Sequence, residues 1–442
     1  MDLKHRHTPW IVIVLTLCLL VAQGIALAQS NTVYFMTVAD PYVGAIRQLL
    51  PEFEKETGIK VVIDSVPFPN LQEKALLELA SGRGSYDLIS VDMPWIGQFV
   101  ESGHVLDITD LVQRDREELD IADILPGAWE ALALWNDRVI GLPLAPYYMY
   151  VHYRTDVFEK AGITKLPETA AEFLDVAKAI NDPGNEFYGV SLAMKRGPSS
   201  ITDWAAYYNG FGGRIFVDPP NNYATAINGE IGIFTTKWLK ELSQYAPPGV
   251  LQYENIDRWN AFMHGKAGMV AVFNANSPQF ETADDSQVQG RVGYFHFPKI
   301  NASDPGSMPF GGFTLVINKH SRNVEAAWTF MKWLMSKEFD REWVQVPGTP
   351  GVPRRLSVVS DPELLAKYPY FQLIYDAEHS GLADGVHYRS RLPEWVQIED
   401  VLGLELNLAF TGEKLVEDAL SDAAERINEI MKKAGYPVNP EY

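Results

Sequence analysis

The sequence has almost no cysteine: one in 442 residues, Cys18. It falls inside an apolar run from Trp10 to Ala22, preceded by Lys4 and Arg6 and followed by Ala26-Leu27-Ala28. Basic residues, an apolar stretch and a small-x-small site in that order form the pattern of a secretory signal peptide. The run is shorter than the roughly 20 residues a bilayer crossing demands, and Gln23-Gly24 interrupts it. Leu17 stands where lipoprotein processing needs a small side chain, which argues against a lipid anchor. Cleavage after Ala28 is therefore expected to leave an exported, periplasmic chain with no thiol, which excludes disulfides and cysteine chemistry.

Positive charge is also scarce. Losing Lys4, Arg6 and Asp2 with the signal peptide leaves 35 basic against 56 acidic residues, a net charge of −21. Nucleic acid is a poor partner for such a surface. Gly-x-Ser-x-Gly, the Walker loop and His-Glu-x-x-His are all missing, and Gly265-Lys266 continues into Ala267 rather than Ser or Thr. The seven histidines beyond residue 28 are scattered singly, so neither a metal nor a cofactor is expected. Carboxylates are abundant, and residue types alone leave a glycosidase pair open. There is no low-complexity run and no evident repeat.

What is present is a regular alternation. Val33 to Met36 reads as a strand, and Ile46, Leu49, Leu50 and Phe53 fall on one face of a helix. Ile59 to Ile63, Leu71 to Leu79 and Asp87 to Val91 continue as strand, helix and strand, which favours an α/β lobe with a mainly parallel sheet flanked by helices. From Gly141 the pattern gives way to an extended segment, Ala145 to Tyr150, punctuated by prolines and expected to cross between lobes. Thr169 with Glu172 three residues on forms a capping box that opens a second α/β region. Further strands are expected over 268–273, 292–297 and 313–317, with a Pro- and Gly-dense loop over 298–312. Val324, Ala327, Trp328, Met331 and Met335 form the buried stripe of a helix. The C-terminal stretch reads as helical.

Six separated segments carry a family resemblance. They are Phe53-Glu54-Lys55-Glu56-Thr57-Gly58-Ile59-Lys60-Val61; Gly84 through Thr109, with Tyr86-Asp87-Leu88-Ile89, Trp95 and Leu106-Asp107-Ile108-Thr109; and Gly141-Leu142-Pro143 followed by Tyr153 through Gly162 and Leu166 through Thr169. The others are Phe262 through Met269, Gly311-Gly312-Phe313 through Ser336, and Arg391-Leu392-Pro393 with the helices after it. In this order the chain resembles the extracellular solute-binding proteins of the sugar-binding type, the maltose-binding-protein-like family 1 receptors of ABC importers. The resemblance implies a two-lobed periplasmic-binding-protein fold of type II, hinge-connected, with lobe 1 from 29–145 plus 300–345 and lobe 2 from 146–299 plus 346–442. It also implies a monomeric receptor, not an enzyme, that closes on a small sugar or polyol and delivers it to membrane permease subunits. Glycerol phosphate is the alternative ligand, and an exported carbohydrate-active enzyme the alternative role. Where malto-oligosaccharide binders bear stacking tryptophans, this chain reads Val272-Phe273-Asn274-Ala275-Asn276 and Val91-Asp92-Met93-Pro94-Trp95, which points to a smaller ligand.

A sugar offers hydroxyls that both donate and accept, and apolar C–H faces, so its site needs polar side chains and aromatic rings together. In open α/β sheets such residues gather beyond the C-terminal ends of strands. That rule selects Asp40 and Tyr42 after the first strand and Asp92 and Trp95 after the third, with helix capping an equal reading for both aspartates. Tyr147 matches a family position facing the cleft, and Tyr148 and Tyr150 are expected to point elsewhere. Trp204 and Tyr208, i and i+4 on a helix, form either a wall of the cleft or a packing pair. Asn274 and Asn276 suit hydroxyl pairs or a turn. Gly312, with Gly311, permits a close backbone approach. Arg391 is the candidate cationic donor.

Overall fold

The computed structural model describes residues 31–348 and 350–440; the expected signal peptide lies outside the described residues. β1 (Thr32–Val38) and β2 (Lys60–Val66) pair in parallel from Thr32 opposite Lys60 to Val38 opposite Val66, and β3 (Leu88–Asp92) joins β1 in parallel on its other side. Between them run α1 (Tyr42–Thr57) and α2 (Phe68–Ser81). α1 buries Ile46, Leu50 and Phe53 on one stripe and stops at Gly58, whose φ of 68° is the left-handed turn that glycine adopts at least cost.

Two long strands then carry the chain from one half to the other. β4 (Leu142–Arg154) is antiparallel throughout. Its first part, Leu142 to Tyr148, pairs with β7 (Met308–Ile317), and β7 pairs in turn with β3, Phe313 opposite Asp92. Its second part pairs with β5 (Met269–Phe273) and β6 (Val292–Phe295). The order across the sheet is β6-β4-β7-β3-β1-β2, with β5 added on β4 and the short β8 (Ala383–Asp384) on β7. The parallel ladders expected from the βαβ pattern are found among β1, β2 and β3, whereas the crossing strands β4 and β7 pair antiparallel with each other and with β3, β5 and β6; only the two-residue β8 runs parallel to β7.

Helices cover each half separately. Phe330 of α7 (Val324–Leu334) meets Phe35 and Phe53 at ring separations of 6.2 and 5.2 Å, and Trp343 of α8 (Lys337–Trp343) meets Tyr42 at 5.9 Å. In the other half, after the short α3 (Thr155–Lys160), α4 (Ala170–Ile180), begun by the Thr169–Glu172 capping box, packs Phe173 against Tyr207 of α5 (Pro198–Gly210) and Trp238 of α6 (Glu230–Leu242). Each such buried ring contributes about 2 to 3 kcal/mol by leaving water. The C-terminal α10 (Trp395–Thr411) and α11 (Val416–Lys433) pack on α5 and α6.

The segment after residue 346, which the sequence reading gives to lobe 2, begins on the other half. Arg354 is buried with its Nε 2.6 Å from Asp340 and its guanidinium 3.9 Å from the Trp343 ring. Arg355 donates to the carbonyl oxygens of Leu119, at 2.8 Å, and Met335. α9 (Phe371–Ser380) approaches β4 and β6, with Tyr370 just before it beside Tyr150 and Tyr294 and with Glu378 bonded to Tyr148. Two adjacent arginines, unremarkable in a sequence, fix this piece by buried charge. Among the described residues no helix is long and apolar enough to cross a membrane.

Candidate functional site

The ends of β1, β3 and β5 meet where β4 and β7 cross between the halves. Asp92, the last residue of β3, is buried, and its Oδ1 accepts from the Met93 backbone N–H at 3.0 Å. It thus caps the short turn that follows and still faces Arg389, whose Nη2 lies 4.0 Å away. Burial pushes its carboxyl up to about 6, against the pull of Arg389 and with a smaller push from Asp40. Asp40 accepts from the Tyr147 hydroxyl at 2.5 Å, and burial raises its carboxyl as well. Tyr147 lies 5.9 Å from both Phe273 and Phe313, so one face of this region is aromatic. Trp95 extends it, stacked at 5.3 Å on Phe68. Tyr148 and Tyr150, on the opposite face of β4, bond to Glu378 and Ser277.

Asn274 follows β5 and is 1% exposed, yet neither its Oδ1 nor its Nδ2 has a hydrogen-bond partner in the protein. An orphaned buried amide costs about 1 to 3 kcal/mol, which a folded protein retains where another molecule can repay it. Asn276 is buried in the same turn. Arg389 is likewise buried, with an unpartnered Nε, its guanidinium 5.1 Å from the Tyr388 ring. Gly311 makes room for it: a Cβ there would stand 3.0 Å from Nη2. Glu399, on α10, is pushed up to about 7 by burial, which Arg389 and a hydrogen bond from Trp395 oppose.

Asp40, Asp92, Trp95 and Tyr147 are thus brought together, with Asn274 one residue beyond Phe273. The other choices sit differently. Tyr42 is in the core, its hydroxyl 2.8 Å from Thr37 Oγ1. Trp204 and Tyr208 stack on each other at 4.5 Å inside the helical layer, the indole bonded to Thr236 at 2.8 Å and the hydroxyl to the Arg214 carbonyl at 2.8 Å; theirs is the packing alternative. Gly312 has φ 111°, and a Cβ would lie 1.9 Å from the Ala145 carbonyl oxygen, so it serves the contact of β7 with β4.

Arg391 donates to the carbonyls of Ala131 and Leu134 at 2.8 and 2.7 Å, and to that of Glu130 at 3.3 Å. All three bonds come from Nη1, which ties the chain to residues 130–134, and the cation facing Asp92 is Arg389, two residues earlier. Sequence reasoning also missed Phe68, Phe273, Phe313 and Glu399. The strand-end rule applied to β2 would have found Phe68, which follows it by two residues; Glu399 lies in the second turn of a helix and carries no such mark.

A separate cavity of about 430 Å³ is lined by Asn209, Ser307, Asp384 and His387 among others. These four bond to one another, Asn209 to Asp384 at 3.1 Å and to Ser307 at 2.7 Å, and His387 to Asp384 at 3.0 Å.

The sequence profile of the bacterial extracellular solute-binding protein family matches residues 39–340. The chain belongs to this family. Its fold is that of the two-lobed periplasmic-binding proteins: an Agrobacterium radiobacter ABC transporter solute-binding protein, solved in complex with ribitol, is 29% identical with a TM-score of 0.80, covering 90% of this chain and 98% of its own. An Agrobacterium vitis ABC transporter solute-binding protein with bound D-mannitol is 25% identical, with a TM-score of 0.78 over 92% of this chain and 99% of its own. A Sinorhizobium fredii protein, described as a probable amino-acid ABC transporter periplasmic-binding protein, is 24% identical over 390 residues, 87% of this chain and 86% of its own. These family members are binding proteins of transport systems, periplasmic or extracellular in setting.

Proposed function

We propose that the chain captures an uncharged polyol or small sugar in the cleft between its lobes and presents it to the permease of an ABC importer. The observation that carries this reading is the set of buried, unpartnered donors and acceptors beside an aromatic wall: Asn274 Oδ1 and Nδ2 and Arg389 Nε next to Tyr147, Trp95, Phe273 and Phe313. Hydroxyls donate and accept at once and so match both kinds of group, while C–H faces match the rings. The ribitol and mannitol complexes of relatives support the same class of ligand.

Charge separates this reading from its rivals. Arg389 is the cation of this cluster and already faces Asp92 at 4.0 Å, so a phosphorylated ligand such as glycerol phosphate would find no free cluster of cations to neutralise it. An amino acid, suggested by the Sinorhizobium relative, would set its carboxylate against a guanidinium that already faces Asp92 and Glu399. The lobes divide at the crossing strands, with residues 352–358 assigned to lobe 1 on the strength of Arg354 and Arg355. Ligand touching both lobes favours the closed form by its differential affinity for that form. The receptor acts as a periplasmic monomer, cleaved after Ala28, without cofactor or turnover.

A thermal-shift screen of residues 29–442 against pentitols, hexitols, monosaccharides, their phosphates and amino acids tests this. A polyol at 100 times its dissociation constant is expected to stabilise by about 2.7 kcal/mol. Stabilisation by phosphates or amino acids alone would overturn the assignment, and so would conversion of any sugar during incubation.

A further inference from the structure

We infer that Arg258, held in place by Asp203, is a further specificity residue of the cleft, whose guanidinium takes one hydroxyl of the ligand from the lobe 2 side. This rests on the carbohydrate reading above and names a donor that reading does not contain. Arg258 lies on the helix Asn255–Met263 and is 1% exposed. Its Nη1 donates to Asp203 Oδ1, and Oδ2 of Asp203 accepts from the Ala193 backbone N–H at 2.7 Å. The carboxylate is engaged at both oxygens. The guanidinium is not: its Nε–H is buried and has no partner in the protein. Arginine carries five donors in a rigid plane, and leaving a buried one unmatched costs about 1 to 3 kcal/mol. The same condition marks Asn274 and Arg389.

Strand register places these groups together. Residues 188–193 run parallel to β5, with Tyr188 opposite Ala267 and Ser191 opposite Val270, which sets Met194 level with Phe273. Asp203, bonded to Ala193, stands at the strand end that also carries Asn274, one strand spacing of about 4.8 Å to the side. Ends of parallel strands in open α/β sheets face the crevice where ligands bind. The connection to the other wall runs through Thr202, next to Asp203. Its carbonyl accepts from the Tyr388 hydroxyl at 3.2 Å, and Tyr388 precedes Arg389, which faces Asp92 at 4.0 Å. Two ion pairs flank the cleft, Asp92–Arg389 and Asp203–Arg258, each guanidinium matched by a carboxylate and each with an N–H to spare. Such pairs hold an uncharged hydroxyl by a charge-assisted bond and leave no net charge for an anion.

The test compares ribitol, mannitol and D-glucose with their monodeoxy analogues by titration calorimetry on the wild type and Arg258→Lys. Lysine keeps a positive charge for Asp203 and lacks the Nε–H of the planar fork. Arg258→Lys is expected to bind the parent ligand at least about tenfold more weakly. One position of the deoxy series should cost the wild type about tenfold and cost Arg258→Lys nothing, because the hydroxyl removed is the one Arg258 holds. A general loosening of the fold would weaken parent and analogue alike and leave their ratio as it is in the wild type. A second readout uses no variant: in 15N-labelled wild type the Arg258 Nε–H resonance should shift on saturation with the parent ligand. Full affinity in Arg258→Lys, equal losses along the deoxy series in both proteins, or an unmoved resonance overturns the inference while leaving the carbohydrate reading intact. A wild type that binds none of the three parent ligands overturns both.

Discussion

Replacing Asp92 with asparagine should stabilise the free protein while it weakens binding. The carboxyl titrates at about 6 in the fold against an ordinary 3.8, and each pH unit of that gap corresponds to about 1.4 kcal/mol, so ionising Asp92 costs the folded state about 3 kcal/mol at pH 7. The sign follows from the direction. Below pH 3.8 the group is protonated whether folded or unfolded and costs nothing; as pH rises from 3.8 to 6 the unfolded chain releases the proton first and stability falls; above 6 the loss is complete. Asparagine has no such window and keeps an oxygen for the Met93 N–H. Arg389 loses part of its electrostatic partner, which offsets some of the gain, so about 3 kcal/mol is an upper figure. Urea denaturation of both proteins between pH 3.5 and 7.5 should show a difference that grows through this interval, with polyol affinity reduced at least about tenfold at pH 7. A variant less stable than the wild type at pH 7, or a difference independent of pH, would refute the reasoning.

Other substitutions separate binding from folding. Asn274→Ala should lower polyol affinity by about tenfold or more in calorimetry with no loss of melting temperature, since it removes two polar atoms that have no protein partner. Arg391→Ala should do the opposite, reducing stability by about 2 to 4 kcal/mol in denaturant titration because carbonyls of 130–134 lose their donor. Trp204→Ala should cost about 3 to 5 kcal/mol in the same assay, the price of a cavity under α5 and a lost bond to Thr236.

Periodicity made the elements legible. β1, α1, β2, α2 and β3 follow from alternating apolar runs, and α4 from a capping box whose two bonds are both formed. Strand direction was less accessible, because the pattern that announces a βαβ unit says nothing about the antiparallel pairing of β4 with β5, β6 and β7. In the site, the strand-end rule selected Asp40, Tyr42, Asp92 and Trp95, of which all but the core residue Tyr42 lie by the crossing strands, as does Asn274, taken from the family resemblance. It failed where long-range packing decides. Arg389 and Arg391 are two residues apart in an extended segment, and which of them faces the cleft depends on the carbonyls of 130–134, over 250 positions away in sequence. Trp204 and Tyr208 read equally as wall or core until Thr236 and the Arg214 carbonyl are seen to take their polar atoms.

Closure around the ligand is the step on which capture depends, and the absence of any cysteine between residues 29 and 442 makes it directly measurable. With single cysteines placed at exposed positions on α1 and α4 and labelled with a fluorophore pair, saturating ribitol or mannitol should raise energy transfer in the wild type, and Asn274→Ala should need about tenfold more ligand, or more, for half of that rise. A ligand that binds by calorimetry yet leaves the transfer efficiency where it was would contradict the account.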